Sequence, residues 1–142
     1  MSMPVTAQPS VRLTAGQRLV AVAAVGVARP LAALPPRRLR QVLRLVSRGA
    51  RAGRFEETLR ARSATVTVST RCAGLGCLQR SVATALICRL RGRWPDWCTG
   101  FRTNPFGAHA WVEVAGRPVG EPADVARFVT VLAVRCPEGK TT

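Results

Sequence analysis

The chain has 142 residues, with 22 basic against 7 acidic side chains and a formal net charge of +15. That length suits one domain, and the 47% hydrophobic content excludes collagen-like and generally disordered classes. All the basic residues except Lys140 are arginines, which together with heavy Ala and Val use also fits a GC-rich genome, so the charge has a compositional reading beside any functional one.

The N-terminus lacks a charged start followed by an apolar run and a small-residue cleavage site, so secretion is not expected. The best apolar run, residues 19–28, stops at Arg29-Pro30, short of the ~18 residues a membrane span requires. A soluble, cytoplasmic protein is expected. Five cysteines are an odd number in such a chain, so at least one thiol should be free and most reduced.

Basicity is concentrated early: residues 1–71 carry a net +11 and residues 72–142 a net +4. Residues 1–10 read as a loose arm around Pro4 and Pro9. Thr14, with Gln17 three positions on, predicts a capping box and a helix to about Ala28, broken by Arg29-Pro30. Beyond Pro35-Pro36, the residues Leu39, Val42, Leu43 and Val46 form the apolar stripe of a second helix ending near Gly49. Arginines 37, 38, 40, 44, 48 and 51 fall on its other side, a face for solvent, an acidic partner or a membrane surface. Glu56-Glu57 open a short helical or irregular stretch to Arg62, and the alternation of Thr and Val over residues 64–69 predicts a strand or an extended entry.

Gly74 and Gly76 make a flexible approach to a helix over residues 77–90, with Gly92 just past its end. Trp94, Pro95 and Trp97 read as a loop, residues 98–102 as a short strand, and Asn104-Pro105-Phe106-Gly107 as a turn. Residues 108–114 form a strand, Ala115-Gly116 a hairpin turn, and residues 117–120 its return. Residues 122–128 suggest a final helical turn and residues 130–135 a last strand.

Cys77 thus stands at a helix N-terminus, where free backbone N–H groups and the positive end of the macrodipole favour a thiolate. The single histidine, His109, lies 32 residues downstream on the hairpin strand, and a thiolate with an imidazolium is the minimal apparatus of cysteine acyl transfer. A catalytic imidazole needs a third group to fix its tautomer. If the hairpin loop is the three residues 114–116, Glu113 pairs with Arg117 and His109 faces Glu121, whose carboxylate can accept from the ring. A two-residue loop places Pro122 opposite instead, and Asp124 is the reserve orienter. Cys72 is the rival nucleophile, while Cys88 and Cys136 read as packing thiols. No Cys-x-x-Cys pair exists, so no metal or other cofactor is expected.

The stretch from Arg71 to Ser81, with its Cys77-Leu78-Gln79-Arg80-Ser81, continues in Trp94-Pro95-Asp96-Trp97-Cys98-Thr99-Gly100 and in Ala108-His109-Ala110-Trp111-Val112-Glu113. In this order and spacing it resembles the leader peptidases of lasso-peptide biosynthesis, which are transglutaminase-like, papain-related cysteine peptidases often called B proteins. The resemblance covers residues 65–135 well and the N-terminal helices only in general character. It implies an α+β fold: a papain/transglutaminase-like core in which a nucleophile-bearing helix packs on an antiparallel sheet, preceded by N-terminal helices. The expected division is an arm and basic helices over residues 1–63 and the core over residues 64–142.

The resemblance also implies a Cys–His–acid triad, matched by Cys77 and His109, with Gly120-Glu121-Pro122 where aspartate commonly precedes proline; the third member stays open between Glu121 and Asp124. It implies removal of a leader from a ribosomal precursor through a thioester, so that the freed core amine can enter a macrolactam. The partners it implies are the precursor leader, a separate leader-recognition protein and a lasso cyclase; at this length the chain looks like the free-standing peptidase. A transglutaminase-like acyltransferase would use the same triad. Against an arginine-rich nucleic-acid binder, the arginines are not interleaved with aromatics and no nucleic-acid motif is present.

Overall fold

A computed structural model describes residues 11–74 and 76–137, so the expected arm over residues 1–10 lies outside the described residues. Helix α1, Ala15–Ala32, starts where the capping box placed it. Thr14 Oγ1 accepts from Gln17 N at 3.2 Å, and Gln17 Oε1 accepts from Thr14 N at 2.9 Å. Its inner face is Ala21, Ala24 and Ala28, all buried, and such small side chains allow close approach to a neighbouring helix. The expected break at Arg29-Pro30 does not occur. Proline costs a helix one hydrogen bond, and here Pro30 is exposed in the last turns, while Leu31 continues against the core.

Helix α2, Pro36–Ser47, begins with proline at its first position, where a missing N–H costs nothing. Leu39 and Leu43 are buried, whereas Arg37, Arg38, Arg44 and Arg48 are exposed, as the stripe predicted. A short strand that the sequence did not signal, β1 (Arg51–Ala52), then pairs in parallel with β2 (Arg93–Trp94).

The expected strand over residues 64–69 is absent, and one helix, α3 (Phe55–Val68), replaces both it and the short stretch before it. The hydroxyls that gave the alternation its strand-like look turn back onto the helix. Thr65 Oγ1 donates to Arg62 O and Thr67 Oγ1 to Ser63 O, each at 2.7 Å. Burial of Thr58, Ala61, Arg62 and Thr65 at helical spacing decides the matter against local propensity. Ser69 caps a further one-turn helix, α4 (Thr70–Ala73), by accepting from Cys72 N at 3.2 Å.

Helix α5, Cys77–Leu90, has the predicted bounds and lies at the centre of the helical layer, its Gln79 Nε2 donating to Val25 O of α1 at 3.0 Å. Strands β3 (Asp96–Arg102), β4 (Gly107–Val114), β5 (Arg117–Pro118) and β6 (Val129–Val134) form an antiparallel sheet in the order β5-β4-β3-β6. Trp97 belongs to β3 rather than to a loop. Its buried indole needs a partner, and Nε1 donates to Ser81 Oγ of α5 at 3.0 Å. Val82, Ala85, Trp94, Trp97, Val112 and Val134 share one core with the alanines of α1 and the leucines of α2. On the opposite face Trp111, Cys98 and Val125 make a second cluster, closed by a 3₁₀ helix, Ala123–Arg127. The expected α+β arrangement therefore stands: a helix beginning at Cys77 on an antiparallel sheet, preceded by N-terminal helices.

The hairpin is tighter than the three-residue loop required. Glu113 pairs with Pro118 and Val114 with Arg117, leaving Ala115 and Gly116 as a two-residue loop, at φ 53° and 77°. Positive φ at both central positions matches the right-handed twist of the flanking strands, which is why such loops dominate tight hairpins. The return strand stops at Pro118, short of the expected Gly120.

Candidate functional site

Cys77 owes its position to the glycine before it. Gly76 N donates to Arg71 O at 2.9 Å, and a Cβ on Gly76 would lie 2.7 Å from that same oxygen, so only glycine fits the turn that starts α5. Arg80, buried one turn into the helix, reaches back to donate from NH1 to Cys72 O at 2.8 Å and Gly74 O at 3.4 Å. These bonds tie the approach segment to the helix. The half-buried Cys77 sulfur faces the His109 ring and the Ala110 backbone N–H, both of which favour its charged form.

The His109 ring is held on three sides. It stacks on Trp111, with centroids 5.9 Å apart and planes 13° apart, and meets Phe128 at 5.6 Å. Its Nε2 lies 2.9 Å from Glu121 Oε2, which leaves Nδ1 for the sulfur. Glu121, with only 3% of its side chain exposed, also meets Arg62 NH2 through Oε1 at 3.5 Å.

The sequence reading thus brought His109 and Glu121 together through a register that the chain does not adopt. The ladder ends at Pro118 before it can set Pro122 opposite His109, and Gly120, at φ 68°, turns the chain so that Glu121 swings back under the ring. Asp124 is placed elsewhere, its Oδ2 accepting from Arg102 NH1 at 2.9 Å.

Burial pushes the Cys77 thiol up, but the hydrogen bond and charge of His109, the Ala110 N–H and the Arg80 charge outweigh it, and the thiol ends below its ordinary value. Burial likewise pulls the imidazole down. Hydrogen bonds to Cys77 and Glu121, together with their charges, win, and His109 is raised to about 9. Both shifts favour the thiolate–imidazolium pair at neutral pH. Cys72, Cys88 and Cys98 go the opposite way. Burial raises Cys72, Cys88 reaches about 11 by burial, and Cys98 about 12 by burial and the Glu113 charge. Among these four thiols the electrostatics single out Cys77, and the rival Cys72 is fully buried.

A cleft of about 430 Å³ opens beside the sulfur and the ring, lined largely by apolar side chains that include Leu34, Leu39, Leu78, Phe101 and Leu132. An apolar lining of this kind can take up an apolar group beside the sulfur. Among the described residues no group of three or more His, Cys, Asp or Glu could hold a metal ion, and no helix is long and apolar enough to cross a membrane.

Three residues that order this site were missed in the sequence: Arg62, Arg80 and Gly120. Arg62 was legible once α3 is read as a helix, because it occupies the buried stripe Thr58, Ala61, Arg62 and Thr65, where a charge must have a partner.

A family model described as Transglutaminase-like superfamily matches residues 21–133, from α1 to the end of the sheet. The comparison with curated proteins found no match, and neither did the comparison with solved structures.

Proposed function

The chain belongs to the transglutaminase-like superfamily, whose members are typically cysteine-based enzymes, and from that premise we propose that it is a cysteine peptidase removing the leader from a ribosomal lasso-peptide precursor. The observation that carries the reading is the continuous chain from the Cys77 sulfur through His109 to Glu121 beside an apolar cleft. The resemblance of the Cys77 and His109 segments to lasso leader peptidases supplies the substrate class.

In this reading the Cys77 thiolate attacks the carbonyl at the leader–core junction, and the resulting oxyanion is met by the Cys77 backbone N–H at the start of α5. The His109 imidazolium gives its proton to the departing core amine as the C–N bond breaks, leaving the leader as a thioester on Cys77. Neutral His109 then takes a proton from water, which attacks the thioester and releases the leader as a carboxylate. Glu121 keeps the ring in the tautomer that presents Nδ1 to the sulfur and stabilises the imidazolium. Arg80 holds the turn that aims Cys77. The free core amine is the nucleophile a cyclase needs for a macrolactam, and a separate recognition protein delivers the leader.

The test incubates wild type, Cys77→Ala and Cys72→Ala with precursor peptide and recognition protein, and weighs the products. The expected result is no cleavage by Cys77→Ala and near wild-type cleavage by Cys72→Ala. Cleavage by Cys77→Ala would overturn the assignment. Transfer of the leader to an added amine in place of water would move the chain to the acyltransferases of the same superfamily.

A further inference from the structure

A carboxylate shut away from water is costly unless its oxygens are paired, and Glu121 is shut away more completely than His109, with 3% of its side chain exposed against 19%. His109 takes one oxygen. The other, Oε1, faces Arg62 NH2 at 3.5 Å, and the Arg62 side chain is itself only 5% exposed. The backbone is shaped around this contact. A Cβ at position 120 would lie 2.8 Å from Arg62 Cδ and 3.1 Å from Nε and NH1, and Gly120 also sits at φ 68°. The guanidinium therefore lies against the segment that delivers Glu121, in space that only glycine leaves open. Arg62 is held in turn by α3, where its carbonyl accepts from Thr65 Oγ1.

The last torsion of a glutamate is broad and nearly two-fold, so a single hydrogen bond to His109 does not fix the plane of the carboxylate. A second group on the other oxygen does. We propose that Arg62 is a positioning residue of the site, gripping Glu121 Oε1 so that Oε2 stays on His109 Nε2, with Gly120 as the gap through which it reaches. This rests on the reading of Cys77, His109 and Glu121 as the reacting chain. Arg62 acts through Glu121 and touches neither sulfur nor substrate in this role.

The test needs no substrate. Iodoacetamide alkylation of the Cys77-containing peptide, followed by mass against pH, reports the thiolate directly. Wild type should react with a midpoint below that of an ordinary thiol. In Arg62→Met the buried Glu121 loses its cation and protonates or turns away, His109 holds its proton less well, and the midpoint should rise by about one unit, about tenfold less alkylation on the acid side. Arg62→Lys should recover part of that shift, and Gly120→Ala, which crowds the guanidinium, should shift it in the same direction as Arg62→Met. On a Glu121→Gln background, Arg62→Met should add no further shift.

If Arg62→Met does not fold, Arg62→Lys and Gly120→Ala carry the test on the same readout. A wild-type midpoint that is low and unmoved in these variants, even with a reduced melting temperature, would make Arg62 purely structural and overturn the inference while leaving the Cys77 reading intact. A wild-type midpoint at or above the ordinary thiol value would overturn both.

Discussion

The arginines of α2 and the arginines around Cys77 are the same side chain in opposite circumstances. Arg37, Arg38 and Arg44 stand in solvent on a helix with no acidic residue in its first turn, with Arg48 exposed at its C-cap, and these four are among the thirteen arginines of residues 1–71. Arg62 and Arg80 are buried, one against the Glu121 carboxylate and the other on the carbonyls of Cys72 and Gly74. A solvated charge is screened and contributes little to structure, whereas a buried one dictates the position of whatever pairs with it. The net charge of +15 is therefore mainly a property of the surface, and the two cations that shape the site contribute little to that total.

The largest effect expected from breaking this contrast comes from the buried carboxylate. Glu121→Gln should slow leader cleavage by tenfold or more, about tenfold for each pKa unit His109 loses, whereas Asp124→Asn should cost about threefold at most. Comparing kcat/KM of the two variants checks this, since Asp124 pairs with the partly exposed Arg102 and not with the ring. The reverse order would hand the orienting role to Asp124.

A smaller effect follows from pH. His109 is raised from 6.5 to about 9, so the imidazolium and the stability it contributes are fully present below pH 6.5 and are lost as pH rises through about 9. The cleavage rate should therefore hold across neutral pH and fall on an alkaline limb near 9. The lowered Cys77 thiol sets the acid limb, where activity is lost as the thiolate takes up a proton. A rate profile with its alkaline limb near the unperturbed histidine value would contradict the pairing with Glu121. The smallest effect belongs to the surface: replacing Arg37, Arg38 and Arg44 with Gln should change folding stability by about 0.5 kcal/mol or less each in thermal melts, with Cys77 alkylation unchanged.

How much of this was legible in the sequence depended on whether the signal was local. The Thr14 capping box, the α5 bounds and the strand carrying His109 rest on neighbouring residues and were readable. The strand expected over residues 64–69 failed because Thr and Val alternate with period two while their burial follows helical spacing, a fact set by α3 packing against the rest of the core. The loss of that helix concealed Arg62, since its place on a buried stripe exists only if the helix does. Glu121 was reached by a hairpin with one residue too many in its loop; the sequence placed a carboxylate near the ring, but the turn at Gly120 that delivers it depends on the cavity that Arg62 occupies. Pro30 shows the converse, a strong local stop signal overridden where its cost is small and Leu31 still gains burial.

The central claim is that Cys77 carries the acyl group, and rapid acid quenching of wild type during turnover of a precursor peptide, followed by peptide mapping, tests it most directly. The predicted result is a leader-derived acyl mass on the Cys77 peptide that rises and decays as product forms. An acyl mass on Cys72, or steady product formation with none on Cys77, would contradict the account.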